Sequence, residues 1–166
     1  INVAKKKINE NKSEKPKQLQ QRARWRKALE LEKLFRLSSE IGFPSRPATQ
    51  DYHNAFLSTN ANKRAIEVSE DLEVTVNYDA ILCSKGQRVL PRTFTVSADS
   101  ENRTLTFTHS VEARGSDRDK TDELYAMVVA PELKDAELFE LGSRIDAEPV
   151  TISLPENWSV DAIEVY

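Results

Sequence analysis

Cations are concentrated at the start of the chain, where they form its most distinctive chemical feature. Residues 1–27 hold ten of them against only Glu10 and Glu14: Lys5, Lys6, Lys7, Lys12, Lys15, Lys17, Arg22, Arg24, Arg26 and Lys27. Phosphate backbones bind such segments by counterion release, without sequence specificity, and Trp25 could stack on a base. A helix of this composition can instead pack Trp25 on its own domain or on a neighbouring subunit. Two alternatives therefore stay open for residues 1–27, a nucleic acid and a protein partner.

The groups that usually carry catalysis are few and far apart in the sequence. His53 and His109 are the only histidines, and neither lies in a pattern typical of acid–base catalysis. Cys83 alternates with apolar neighbours, which indicates a small buried residue rather than a nucleophile. As the only cysteine it also excludes an internal disulfide and a multi-cysteine metal site. We therefore expect no catalytic residue and a protein that is not an enzyme.

The densest acidic cluster spans residues 117–123. Asp117, Asp119 and Asp122 offer carboxylate oxygens of the kind that calcium prefers. Arg118 and Lys120 are interleaved with them, and the Gly and the terminal Glu of a calcium-binding loop are missing from their expected positions. We expect a solvated loop between two strands here, and we predict no metal and no cofactor.

Charge is divided unevenly between the two parts of the chain. The 166 residues have a formal net charge of −3, but residues 1–37 hold 12 basic and 4 acidic side chains, and residues 38–166 hold 12 basic and 23 acidic ones. Hydrophobic residues make up 39% of the chain, which is enough for one modest core. No apolar run approaches the ~20 residues of a membrane-spanning helix, so we expect no membrane span.

Two helices are predicted in the N-terminal third. Residues 1–16 are expected to form a flexible basic arm, because they bury too little apolar surface to offset the entropy of ordering them. Pro16 suits the first turn of a helix, and helix-forming residues continue to about Leu37. A second helix is predicted from Gln50 to about Ile66, with Thr49 as its N-cap.

The first helix has an apolar face and a basic face. Its apolar stripe consists of Ala28, Leu31, Leu34 and Phe35. Arg24 and Lys27 interrupt that stripe, so we expect the first half of the helix not to be deeply buried. Four cations cluster within roughly 80° on another face. Together with the neighbouring tryptophan they form the predicted partner-binding surface: Arg22, Trp25, Arg26, Lys33 and Arg36.

Beyond residue 68 the periodicity changes from helical to alternating. Strands are predicted at residues 72–78, 93–97, 104–108, 124–129, 137–141, 150–154 and 162–166. Short strands at this spacing are typical of a β-sandwich. Because the last strand runs to Tyr166, we expect one or two strands to be missing. The predicted fold class is α+β, with an arm (residues 1–16), a helical segment (17–68) and a sandwich domain (69–166).

Several short motifs occur in a familiar order, among them residues 18–24, 54–56, 78–86 and 155–158. In this order they resemble an uncharacterised family of roughly 200-residue proteins from Bacteroidota. The resemblance implies a fibronectin type III-like or immunoglobulin-like sandwich and carries over no activity and no site residue. The layout of helices followed by a sandwich is similar to that of assembly or surface components, including those of phage-like elements. It favours the cytoplasm or a phage-like particle as the compartment.

The leading hypothesis is therefore a non-enzymatic structural or interaction protein. It would bind a protein partner or another copy of itself through the basic helix. The alternative is a nucleic-acid-binding protein that uses residues 1–27.

Overall fold

Three α-helices occupy the N-terminal third of the computed structural model, which describes residues 15–44, 47–112 and 118–166. They are α1 (Pro16–Leu34), α2 (Arg36–Gly42) and α3 (Tyr52–Asn60). The prediction of two helices is wrong, because the first one breaks at Phe35. The flexible arm predicted for residues 1–16 lies outside the described residues except at its last two positions.

Tertiary packing accounts for the break between α1 and α2. Phe35 leaves helical geometry (φ −91°, ψ 12°), and its side chain is fully buried. Its ring stacks on Phe56 with centroids 5.7 Å apart and meets the edge of Tyr166 at 5.0 Å. Such aromatic pairs stabilise by about 0.5–1.5 kcal/mol each beyond the burial of their surface. The helix therefore breaks where it places an aromatic side chain between two distant rings.

The third helix is shorter than predicted and has a different N-cap. Asp51 caps it, since its Oδ1 accepts a hydrogen bond of 2.7 Å from the Asn54 N–H; the prediction of Thr49 as the cap is wrong. After the helix, Asn62 Oδ1 accepts from the N–H groups of Arg64 and Ala65. That turn ends the helical region and allows the following residues to form a strand.

Eight strands form three antiparallel sheets in the described part of the chain. The first sheet is a hairpin of β1 (Ile66–Val68) and β2 (Val74–Val76). The second has the order β3–β4–β7 and the third β6–β5–β8. Their strands are β3 (Phe94–Asp99), β4 (Thr104–His109), β5 (Glu123–Ala130), β6 (Asp135–Ser143), β7 (Val150–Ser153) and β8 (Glu164–Val165). The fold is therefore α+β, while the fibronectin type III-like arrangement and the division into domains stay predictions.

Strand β5 lies at the centre of the fold and is buried on both faces. Met127 and Val129 pack into a core formed with the helices. The alternate residues Ala126 and Val128 pack into a second core between the two larger sheets, which includes Phe107 of β4. Successive side chains of a strand point to opposite faces, so one strand serves both cores. The helices consequently cover the outer face of the β6–β5–β8 sheet.

The last residue continues the pairing of β8 with β5. The backbone N–H groups and carbonyls of Tyr166 and Met127 exchange two hydrogen bonds of 2.9 Å. The Tyr166 hydroxyl donates to the Tyr78 carbonyl at 2.8 Å, and burial raises the pKa of Tyr166 above its usual value. None of the described helices combines the length and the apolar character needed to cross a bilayer.

Candidate interaction surface

Helix α1 is held on the protein by one apolar face and by two polar side chains. Ala28 and Leu31 are buried in the helical core. Arg24 Nε donates to the Ile66 carbonyl at 2.9 Å, and Gln20 Nε2 donates to the Ser69 carbonyl at 3.0 Å. Both acceptors belong to β1 or the residue after it, so the side chains of α1 cap this edge of the hairpin.

The expectation that the first half of α1 avoids deep burial is wrong at Arg24. This side chain is only 6% exposed. Its Nη1 donates to Gln21 Oε1 at 2.9 Å, and its Nε bonds the strand carbonyl. A buried cation is tolerated when its donors are paired. Lys27, the other cation in the predicted apolar stripe, stays partly exposed and pairs with Glu30 at 3.1 Å.

Four of the five predicted partner-binding residues lie on α1. Trp25 is 43% exposed, and Arg26 and Lys33 are exposed, while Arg22 is half-buried. Their spacing places Arg22, Arg26 and Lys33 within about 40° on the helix, and Trp25 lies beside Arg22 one turn along. We call this set, together with Arg36, the basic helix face.

Arg36 is the member of the basic helix face that lies beyond the helix break. It opens α2 and is exposed. A hydrogen bond with the Tyr52 side chain raises the pKa of Arg36. Next to it, His53 Nδ1 lies 2.8 Å from Oε1 of the buried Glu32. This end of the basic helix face is therefore tied to α3 by polar contacts.

Two apolar residues that the sequence analysis did not single out extend this surface. Leu37 and Ile41 of α2 are 52% and 48% exposed, and their spacing of four places them on one face of the short helix. The spacing is readable in the sequence. It predicts a shared exposed face, however, only once a helix is known to begin at Arg36.

A groove of about 420 Å³ borders α1 on the side away from α3. Leu31 and Leu34 of α1 and Leu37 of α2 line one wall, and Tyr78 and Pro131 line the other. Charged side chains of both signs stand at its rim: Lys27, Glu30, Lys33, Lys134 and Asp135. The groove therefore offers an apolar floor next to the basic helix face.

Those candidates for catalysis and metal binding that the structure describes do not converge on a site. His109 stacks on Phe94 with ring centroids 6.4 Å apart. Burial raises the pKa of the Cys83 thiol, which favours its protonated, unreactive form. Within the described ranges, no group of three or more His, Cys, Asp or Glu side chains is arranged to hold a metal ion.

The acidic loop is held by cations and by its own backbone. Asp122 lies 3.5 Å from Arg88 Nε and 3.3 Å from Arg144 Nε. Asp119 accepts hydrogen bonds from the backbone N–H and the hydroxyl of Thr121. Of the interactions that lower the pKa of Asp119, the bond from the backbone N–H has the largest effect. Asp117, the third carboxylate considered for calcium, lies outside the described residues. The described carboxylates thus act as acceptors for neighbouring groups of the protein.

Comparison of this chain with protein-family models, with curated protein sequences and with solved structures finds no match.

Proposed function

We propose that this protein is a non-enzymatic interaction protein that contacts a partner protein through the basic helix face. The observation that carries the proposal is Trp25, 43% exposed among the cations of α1. Tryptophan and arginine are the residues most enriched at the energetic centres of protein interfaces. Trp25 is a large, partly exposed aromatic side chain, and arginines precede and follow it in the helix. This composition is typical of such a centre.

The attachment of α1 supports the same proposal. Arg24, Ala28 and Leu31 fix the inner side of the helix, so the outer side chains project from a fixed backbone. Binding to a preorganised surface avoids part of the entropy cost of ordering the interface. The exposed Leu37 and Ile41 add apolar area beside the cations, and this area favours a protein partner.

The chemistry of the surface favours a partner with acidic and apolar side chains. Residues 38–166 carry 23 acidic against 12 basic side chains, so another copy of this chain offers such a surface. Assembly of copies is therefore the simplest form of the proposal. The resemblance to Bacteroidota proteins, the fibronectin type III-like sandwich, and a role in a phage-like particle or at a surface belong to the same proposal.

Charge reversal on the basic helix face tests the proposal. The variant Arg26→Glu with Lys33→Glu changes two exposed side chains of α1. Lys63→Glu with Arg64→Glu is the matched control, because both side chains are exposed and lie outside this face. We expect light scattering after size exclusion to show concentration-dependent association of the unmodified chain, weakened about tenfold or more by the first variant only.

Two results would count against this form of the proposal. A strict monomer up to millimolar concentration would exclude assembly of copies. If the two charge reversals weakened association equally, net charge and not the basic helix face would determine the association.

The rival function is binding of nucleic acid through residues 1–27. Arg24 is occupied by the Ile66 carbonyl and Lys27 by Glu30, so fewer cations of α1 are free for phosphates than the sequence indicates. Fluorescence anisotropy with a single-stranded oligonucleotide at low and moderate salt tests it. Binding that falls steeply with salt and disappears without residues 1–14 would replace a protein partner by a nucleic acid.

A further inference from the structure

The turn of the β1–β2 hairpin is acidic, apolar and exposed. Residues 70–74, which we call the hairpin tip, are all exposed: Glu70, Asp71, Leu72, Glu73 and Val74. No Lys or Arg occurs in the sequence between Arg64 and Lys85, so no cation of the hairpin itself offsets the carboxylates. The hairpin tip therefore presents two apolar side chains among three carboxylates.

The backbone of the hairpin tip is fixed, and it holds Leu72 in a conformation that glycine favours. The Ser69 N–H donates to the Glu73 carbonyl at 2.9 Å, and Ser69 Oγ accepts from the Glu73 N–H at 3.0 Å. Leu72 has a φ of 66°, where an L side chain is strained and glycine is not. The Leu72 side chain is nevertheless 41% exposed, so burial in its own chain offsets only part of this strain. Strain at an exposed apolar residue indicates a contact with another molecule.

Two exposed lysines stand at the rim of the groove beside α1. The carboxylates of the rim are already held by groups of their own chain. Glu30 pairs with a lysine of its helix at 3.1 Å, and Asp135 accepts from an indole N–H at 3.3 Å. Lys33 and Lys134 are the remaining charged side chains among the described lining residues. The groove thus combines an apolar floor with cations, which is the complement of the hairpin tip.

Lys134 has the same unusual backbone conformation as Leu72. It lies in the turn between β5 and β6 with a φ of 53°, where glycine is again favoured. Arg103 is the third described non-glycine residue with a positive φ, and its guanidinium donates to the Glu156 carbonyl at 2.6 Å. The Arg103 side chain therefore stabilises its own fold, whereas that of Lys134 is exposed at the rim of the groove. Of the two exposed residues in this conformation, one belongs to the hairpin tip and the other to the groove.

Within one copy the hairpin tip and the groove lie toward opposite ends of α1. Arg24 donates to the Ile66 carbonyl. One turn earlier, Gln20 donates to the Ser69 carbonyl, so the hairpin approaches the start of α1 as it approaches its tip. Leu34, which lines the groove, follows Gln20 by about 20 Å along the helix axis. Contact between a hairpin tip and a groove therefore requires two copies.

We propose that the hairpin tip of one copy docks in the groove of a second copy. Leu72 packs on the apolar floor, and the carboxylates of the hairpin tip lie at Lys33 and Lys134. The groove of about 420 Å³ has the volume of a pocket that takes a small ligand, and the fixed backbone of the hairpin tip reduces the entropy cost of docking. This inference rests on the assembly of copies proposed above, and Lys33 makes the contact continuous with the basic helix face.

Replacement of the two strained residues by glycine separates association from folding. Glycine adopts a positive φ without strain, so we expect Leu72→Gly and Lys134→Gly to leave the melting temperature unchanged or higher. We expect each variant to weaken the association of copies about tenfold or more, measured by light scattering after size exclusion. Leu90→Ala and Lys120→Ala are the matched controls, because they remove an exposed leucine and an exposed lysine outside both surfaces. These controls should leave association unchanged.

A mixture of two charge-reversed variants tests whether the hairpin tip meets the groove of another copy. Glu70→Lys with Glu73→Lys changes the hairpin tip, Lys134→Glu changes the groove, and all three positions are exposed. Each variant alone should remain monomeric. The equal mixture contains an unchanged hairpin tip on one variant and an unchanged groove on the other, so we expect it to form dimers of one chain of each kind. If a glycine variant fails to fold, this mixture decides.

Three results would overturn the inference, and they affect the proposed function differently. If Arg26→Glu with Lys33→Glu weakens association while both glycine variants leave it unchanged, the basic helix face keeps its role and the hairpin tip loses its own. A mixture that stays monomeric, while the unmodified chain associates, has the same meaning. A strict monomer of the unmodified chain excludes this inference together with assembly of copies, and leaves a different protein as the partner of the basic helix face.

Discussion

Replacement of Arg24 tests how α1 is attached to the hairpin. Arg24→Ala removes the Nε donor that bonds the Ile66 carbonyl at 2.9 Å and the Nη1 donor that bonds Gln21. A hydrogen bond from a charged group contributes about 1.5–3 kcal/mol, and each buried methylene of the side chain contributes about 0.8 kcal/mol. Relief of the desolvation of the cation offsets part of this loss. We expect a decrease of about 2–4 kcal/mol in the free energy of unfolding.

Two further variants separate the causes of this decrease. Arg24→Met keeps a side chain of similar length and removes only the donors, so we expect about 1–3 kcal/mol. Arg26→Ala removes an exposed arginine two residues away, and we expect a change within about 0.5 kcal/mol. Urea denaturation followed by circular dichroism at 222 nm measures all three, and an unchanged slope against urea would show that the unfolded states are comparable.

One result would refute the assignment of Arg24. If Arg24→Ala and Arg26→Ala destabilised the protein equally, by less than about 0.5 kcal/mol, Arg24 would not be a buried donor to β1. Its cation would then be available to a partner, as the helical wheel alone indicates. The rival hypothesis of nucleic-acid binding would gain one more phosphate contact.

The remaining predictions concern a glycine and a tyrosine. An added Cβ at Gly42 would clash with the Cys83 carbonyl oxygen, whereas one at Gly86 would meet nothing within 4 Å. In thermal unfolding we expect Gly42→Ala to cost about 1–3 kcal/mol and Gly86→Ala to be nearly neutral. A hydrogen bond of 2.7 Å to the Glu123 carboxylate raises the pKa of Tyr125 to about 12. Because the raised pKa favours the neutral phenol in the fold, its contribution to stability is present below pH ~10 and is lost as the pH rises through ~12. In a ¹³C NMR titration Glu123→Gln should return this pKa toward the ordinary value, and an unchanged titration would contradict the bond.

Alternation along the sequence predicts most of the larger strands because their two faces differ in burial. Strand β4 was predicted at residues 104–108 and spans Thr104–His109, with Leu105 and Phe107 facing a core. Strand β5 was predicted at residues 124–129 and spans Glu123–Ala130, and its two faces pack into two different cores. In these strands the pattern of apolar residues in the sequence agrees with the burial of the side chains in the fold, so the sequence pattern alone predicts the strands.

The sequence does not predict elements that depend on contacts with residues far away in the chain. Strand β1 is three residues long and was not predicted; its first residue was assigned to the end of a helix, because no period can be read over Ile66–Val68. Its outer edge is satisfied by Arg24, 42 residues earlier. The break at Phe35 likewise depends on the rings of Phe56 and Tyr166. In each case a side chain remote in sequence decides the local structure.

The same reasoning explains why a count of charges does not show which cations of α1 are exposed. Arg24 and Arg26 are identical in type and two residues apart, yet they lie about 160° apart around the helix. Arg24 points to the hairpin, and Arg26 points away from it. The two arginines therefore have different roles: Arg24 attaches the helix to the hairpin, and Arg26 is exposed on the opposite side of the helix.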